Sequence, residues 1–162
     1  MAPRYFLGVD PGLSGALAFY DPAADELIVH DMPVHTITIN RTKKRRLDLY
    51  ALGMMLDALR NDTARAMVED VGAMPKQGVA STFAFGFAAG AVQAAIASNI
   101  IPMALVRPAQ WKRSMGLTSD KDASRRHASM LLPRHAHLWS RAKDDGRAEA
   151  ALLSYLCAHK NV

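Results

Sequence analysis

Cysteine is almost missing from this chain of 162 residues: Cys157 stands alone in an apolar stretch near the C-terminus. One thiol excludes an internal disulfide framework and a cysteine-rich zinc site, and it suits a reducing compartment. No leader is expected either. Met1 to Leu7 runs directly into a strand with no long apolar region or cleavage signature, so no signal peptide is expected and a cytoplasmic location is. The longest apolar stretch, Phe83 to Ala97, is broken by glycines and Gln93. It is short for a membrane span and reads as a core helix, with no membrane partner expected. No internal repeat, low-complexity tract or linker divides the sequence, and its length fits one domain over 1–162. With 50% hydrophobic and 22% charged residues, disorder throughout is excluded and a sizeable core is possible.

Positive charge is in excess. The net charge is +5 and the pI near 9.6, a modest argument for a polyanionic partner. Half of the 20 Lys and Arg lie between Arg107 and Arg147, opposed there only by Asp120, Asp122, Asp144 and Asp145. A second cluster, Arg41-Thr42-Lys43-Lys44-Arg45-Arg46, packs five cations into six residues. Either cluster taken alone is equally well a solvated face.

The order of elements is that of an α/β protein. Phe6 to Val9, Gly15 to Tyr20 and Leu27 to Asp31 read as strands of an antiparallel meander. The segment His35 to Arg46 is either an extended loop or an edge strand, with Ile37 and Ile39 alternating with polar neighbours. Leu49, Leu52, Leu56 and Leu59 recur at helical spacing within a helix from Leu47 to Arg60. Ala64 to Val68 is a buried strand ending in Glu69. Ala80 to Ser98 is a long alanine-rich helix whose Gly86 and Gly90 suit close helix–sheet or dimer packing. Pro102 to Val106 is a fifth strand, followed by a helical turn from Gln110 to Ser114. Ser119 to Asp122 resembles a capping box that opens a helix to about Leu132. The last helix starts near Asp144 or Asp145 and runs to about His159.

Four acids stand where chemistry needs them. Asp10 ends an apolar strand before Pro11-Gly12, and α/β sheets bind ligands outside strand carboxyl ends. Asp before Pro-Gly is also a common turn start, so Asp10 alone decides nothing. Glu69 holds the same kind of position, equally ordinary by itself. Asp145 and Glu149 share one stripe with Leu152, Leu156 and His159 on a helix that is apolar nearly all round. Buried carboxylates are costly unless they meet cations. Capping by Asp144, with an Asp145–Arg147 surface cluster, explains Asp144 well and Glu149 poorly. Together the four acids suit hard divalent cations, magnesium above all, and two such ions can drive phosphodiester cleavage. His127, His135 and His137 lack the thiolates or spacing of a zinc site and read as exposed loop histidines.

These residues resemble a known family. Gly8-Val9-Asp10-Pro11-Gly12 with Ser14-Gly15-Ala16 is similar to the opening strand and turn of RuvC-type Holliday junction resolvases. Val68-Glu69-Asp70-Val71 is similar to their second acidic strand. The helix with Gly86 and Gly90 looks like their long helix, which includes the dimer-contact region. Pro108-Ala109-Gln110-Trp111-Lys112, then Lys121, resembles their basic segment, and Lys143 to Ala150 their terminal acidic helix, particularly in phage-like members. The resemblance implies a ribonuclease-H-like fold with a five-stranded mixed sheet flanked by helices. It also implies a homodimer and paired nicks in four-way or other branched DNA. It assigns Asp10 and Glu69 to metal binding, while shared helix phase selects Asp145 and Glu149 over Asp144 for the remaining ligands. Asp10 would then serve two magnesium ions, replaceable by manganese, with Glu69 on one side and Asp145, joined by Glu149, on the other. Lys112, Arg113 and Lys121 would hold DNA phosphates, and Arg41, Lys43, Lys44, Arg45 and Arg46 would extend that contact. The chain departs from the family twice. Gly146 stands three before Glu149, where many members carry an acid. Gly72 and Met74 stand where some carry a stacking aromatic; Met74 or Phe83 could replace it, although Phe83 and Phe87 at helical spacing are more often core. Two other functions share these motifs: an actin- or hexokinase-like ATPase domain, and a non-catalytic junction-binding protein.

Overall fold

A computed structural model of the chain describes residues 3–73, 78–118, 120 and 122–160. At its centre is a mixed sheet of five strands, which run across it in the order Glu26–Asp31, Ala16–Asp21, Tyr5–Asp10, Thr63–Glu69 and Met103–Val106. β1 (Tyr5–Asp10), β2 (Ala16–Asp21) and β3 (Glu26–Asp31) form the expected antiparallel meander. β6 (Thr63–Glu69) runs parallel to β1, and β7 (Met103–Val106) parallel to β6. Strand alternation sorts the side chains into two layers. Tyr5, Leu7 and Val9 face α1 (Leu49–Leu59) and α2 (Val79–Ser98), meeting Leu52, Leu56, Val92 and Ile96. Asp48 caps α1 by accepting from the Ala51 amide at 3.0 Å.

The opposite face carries Phe6, Gly8 and Asp10 and is covered by α5 (Asp145–His159), with α4 (Ala123–Leu131) and a 3₁₀ turn at Pro133–Trp139 behind it. Gly8 sets the approach of α5 to the sheet. A Cβ at Gly8 would lie 2.1 Å from the Ala150 carbonyl oxygen and 2.2 Å from the Ser154 nitrogen, so the helix backbone rests directly on β1. Leu152, Leu153 and Leu156 are buried by this docking, each stabilising it by about 1.5–3 kcal/mol. The consequence for the site is positional. Asp10 lies on the face of Gly8, and the first turn of α5 comes to rest over it.

Three sequence expectations need correction. The segment 35–46 is neither a loop nor an edge of the main sheet; β4 (Val34–Ile39) and β5 (Thr42–Leu47) form a separate hairpin. Its turn residues Asn40 and Arg41 both take positive φ, 49° and 61°, as a two-residue hairpin turn requires. α2 is not a core helix. Only Ala88, Ala89, Val92 and Ile96 are buried, because just its C-terminal half lies on the sheet, while Val79, Phe83 and Phe87 are exposed. Finally, nothing lies within 4 Å of a Cβ built at Gly86 or Gly90, so these glycines serve no close packing of α2 on the sheet. By length and composition alone α2 could cross a membrane. The capping box expected at Ser119 falls partly outside the described residues, as do Ser119 and Lys121 themselves. No side-chain cap forms at Asp122, whose carboxylate pairs with Arg125.

Candidate active site

Asp10 leaves β1 into a turn that only glycine permits. The Gly12 amide donates to Asp10 Oδ1 at 3.2 Å, and the Gly15 amide to the Gly12 carbonyl at 2.8 Å. A Cβ at Gly15 would meet the Asp10 carbonyl oxygen at 2.1 Å. Glu69 comes from the neighbouring parallel strand. Val9 pairs with Val68, so Asp10 and Glu69 end adjacent strands and point to the α5 side. Glu149, one turn into α5, lies near enough for its charge to act on both acids. Burial pushes the Asp10 carboxyl up to about 7; the Gly12 amide opposes this, and the charges of Glu69 and Glu149 add to it. Burial likewise raises Glu69, against the Trp111 hydrogen bond that favours its charged form.

Each of the other two acids is held by a donor. α3 (Pro108–Ser114) opens on Pro108 just after β7, as proline at a first helical position favours. Trp111 Nε1–H of this helix donates to Glu69 Oε1 at 2.9 Å. The next residue, Lys112, places its Nζ 2.6 Å from Glu149 Oε1, which also accepts from Ser124 Oγ at 2.9 Å. Sequence spacing assigns no role to Trp111 or Ser124. Their acidic partners lie 42 and 25 residues away, and no local pattern links them.

The remaining candidates separate. Asp145 faces Arg125 at 2.9 Å, in charge contact without hydrogen-bond alignment, and is not brought into the group around Asp10. The alternative of a surface cluster with Arg147 does not form either, because Arg147 reaches across to both carboxylate oxygens of Asp31 at 2.6 Å. Asp144 is buried and bound by the Arg141 guanidinium and amide, which hold its carboxyl below the usual range. Gly146 lies beside Asp10. A Cβ there would stand 3.1 Å from Asp10 Oδ2 but only 2.5 Å from the Ser14 carbonyl oxygen, so an acid at this position needs a shifted turn.

Among the basic candidates, Arg45 reaches the turn that follows Asp10. It donates to Leu13 O at 2.6 Å and Ser14 Oγ at 3.1 Å, fixing the hairpin beside Asp10. Arg41, Lys43, Lys44 and Arg46 are exposed on that hairpin, and Arg113 is exposed on α3. Lys121 and Met74 lie outside the described residues. Phe83 and Phe87 do not belong to the core; they line a cleft of about 300 Å³ with Leu13, Arg45 and Leu47. His135 is half-buried against the Asp25 carbonyl, and His159 stacks on Tyr155 at 4.1 Å.

Among the described residues no three His, Cys, Asp or Glu side chains are already gathered as ligands. The donor chemistry nonetheless fits a hard divalent cation. Asp10, Glu69 and Glu149 offer oxygens only, as magnesium favours, and the Asp10 carboxyl is raised by its burial first and by the charges of Glu69 and Glu149 next.

This fold has solved counterparts. The chain matches the Thermus thermophilus RuvC structure at TM-score 0.55 and 19% identity over 95% of each chain. It matches T. thermophilus RuvC in complex with a Holliday junction substrate at TM-score 0.57 and 15% identity, over 93% of this chain and 90% of that one. The chain has the RuvC fold. No family model and no curated protein matches it by sequence. The RuvC fold is therefore carried here at 15–19% sequence identity.

Proposed function

We propose that this chain is a magnesium-dependent endonuclease that resolves four-way or other branched DNA by paired phosphodiester nicks, acting as a cytoplasmic homodimer. The observation that carries this reading is the convergence of Asp10, Glu69 and Glu149 at the carboxyl ends of β1 and β6, where the Asp10 carboxyl stands at about 7. Likeness to RuvC bound to a Holliday junction substrate supports the choice of branched DNA.

Asp10, Glu69 and Glu149 would hold the ions, and Asp145 would join them only by exchanging its Arg125 contact for an ion; manganese would serve in place of magnesium. Bound magnesium supplies Lewis-acid activation of water and charge neutralisation on the leaving oxygen. The chain's own groups orient the reaction. The Gly12 amide fixes one oxygen of Asp10, and Trp111 one oxygen of Glu69. Lys112 neutralises Glu149 and is placed to turn to a backbone phosphate when Glu149 is otherwise engaged. Arg113, Lys121 and the hairpin cations Arg41, Lys43, Lys44, Arg45 and Arg46 hold further phosphates, which position the substrate and carry no sequence information. For the homodimer the support is α2, whose Phe83, Phe87 and two open glycines leave an apolar face uncovered. The ATPase alternative gains no support from any observation of the site.

The test is cleavage of matched duplex, flap and four-way DNA with magnesium. Cutting of branched DNA alone, lost in Asp10→Asn, is the expected result. Full activity of Asp10→Asn, or magnesium-dependent ATP hydrolysis without DNA, overturns the reading.

A further inference from the structure

The chain has two tryptophans, Trp111 and Trp139, and they are its two largest fully buried side chains among the described residues. A buried indole N–H needs an acceptor. Trp139 takes a neutral one, Ser129 Oγ at 3.0 Å. Trp111 takes a carboxylate, Glu69 Oε1 at 2.9 Å. A bond to a charged acceptor is shorter and stronger than a neutral one. The indole can only donate, so it orients Glu69 without competing for a cation.

Backbone geometry makes this contact rigid. β7 pairs with β6 through Val106 opposite Glu69, so α3 begins level with the end of β6. The Trp111 amide donates to the Arg107 carbonyl at 3.1 Å, and the Trp111 side chain is entirely buried against the α5 side of the sheet. The following residue, Lys112, grips Glu149. One short helix thus holds two acids that arrive from β6 and from α5.

The geometry points to Trp111 as a positioning residue for the acidic site: its indole N–H fixes the Glu69 carboxylate beside Asp10 before any cation arrives. This rests on the proposed function, in which Glu69 binds metal. Trp111 never touches substrate; it acts through Glu69.

Trp139 supplies the control, because Trp139→Phe and Trp111→Phe delete the same atoms from equally buried sites. Magnesium and manganese affinity is measured by titration calorimetry for both variants and for Glu69→Gln. Loss of an outer hydrogen-bond partner typically weakens metal binding about 10–100-fold. Trp111→Phe is expected to show such a loss, while Trp139→Phe binds as the parent chain does even where both lower the melting temperature. Equal metal affinity in the two tryptophan variants overturns the inference while leaving Glu69 a ligand, provided Glu69→Gln binds weakly. Unchanged metal affinity in Glu69→Gln instead overturns the ligand assignment and the inference with it. A second measurement needs no tryptophan variant to fold. The metal-free protein gives two indole N–H resonances, and Glu69→Gln is expected to shift one strongly and leave the other in place. Two unmoved indole signals contradict the contact.

Discussion

Asp10 is held in a charge state that opposes the fold. Its carboxyl stands at about 7 because of burial first, with Glu69 and Glu149 adding to it, whereas an unfolded aspartate titrates near 4. A carboxyl raised on folding contributes no penalty below about pH 4. The penalty grows between pH 4 and 7, is complete above 7, and so lowers stability as pH rises. Because Asp10 keeps some solvent access, the full shift is discounted to about 1–3 kcal/mol. Asp10→Asn in metal-free buffer is therefore expected to be more stable than the parent at pH 8, with the gain shrinking toward pH 5. Urea unfolding at the two pH values checks this, and an equal or lower stability at pH 8 contradicts the electrostatic description. Asp10 and Glu69 were legible in the sequence because each closes an apolar strand, and strand alternation then fixes the face they share. Asp145 was not. Its phase on α5 is right for the site, but its partner is decided by where α4 brings Arg125, which lies beyond any local pattern.

At the scale of elements, the contact between β1 and α5 assembles the site. The backbone of α5 touches Gly8, so Gly8→Ala forces the helix off the sheet against atoms only 2.1 Å and 2.2 Å away. Overpacking of a core typically costs about 1–3 kcal/mol and more where backbone must move. The expected result is a loss at or above that range, measured by thermal unfolding, with weaker metal binding because α5 carries Glu149. A neutral Gly8→Ala would show that the helix does not dock this way. The basic hairpin is a separate element, and its sequence concealed that. Ile37 and Ile39 alternate as in a sheet strand, yet β4 and β5 pair only with each other. Replacing Lys43, Lys44 and Arg46 by Ser, with Arg45 kept to hold the Leu13 turn, is expected to spare the fold. The slope of log affinity for DNA against log salt should fall by about 2–3, roughly 0.9 for each phosphate no longer neutralised. An unchanged slope places the DNA elsewhere. The long helix misled in the opposite way: an alanine-rich run with glycines reads as core from sequence alone, and only the limited reach of the sheet shows its first half to be uncovered.

For the whole molecule, fold class was more legible than assembly. The meander, the two parallel strands and the terminal helix follow from apolar spacing and turn residues, and the fold they build matches the RuvC structures at 15% and 19% identity. What covers α2 lies outside the chain's own contacts. If a second copy does so, Phe83→Glu with Phe87→Glu yields a monomer by sedimentation while each chain stays folded; a parent protein already monomeric at assay concentration removes the dimer from the proposal. The most direct measurement is single-turnover cleavage of a labelled four-way junction beside its matched linear duplex, with magnesium and with chelator, for the parent chain and Asp10→Asn. The expected result is paired nicks in the junction only, only with magnesium and only in the parent. Junction cleavage that survives chelator, or that persists in Asp10→Asn, would contradict the assignment of the acidic site.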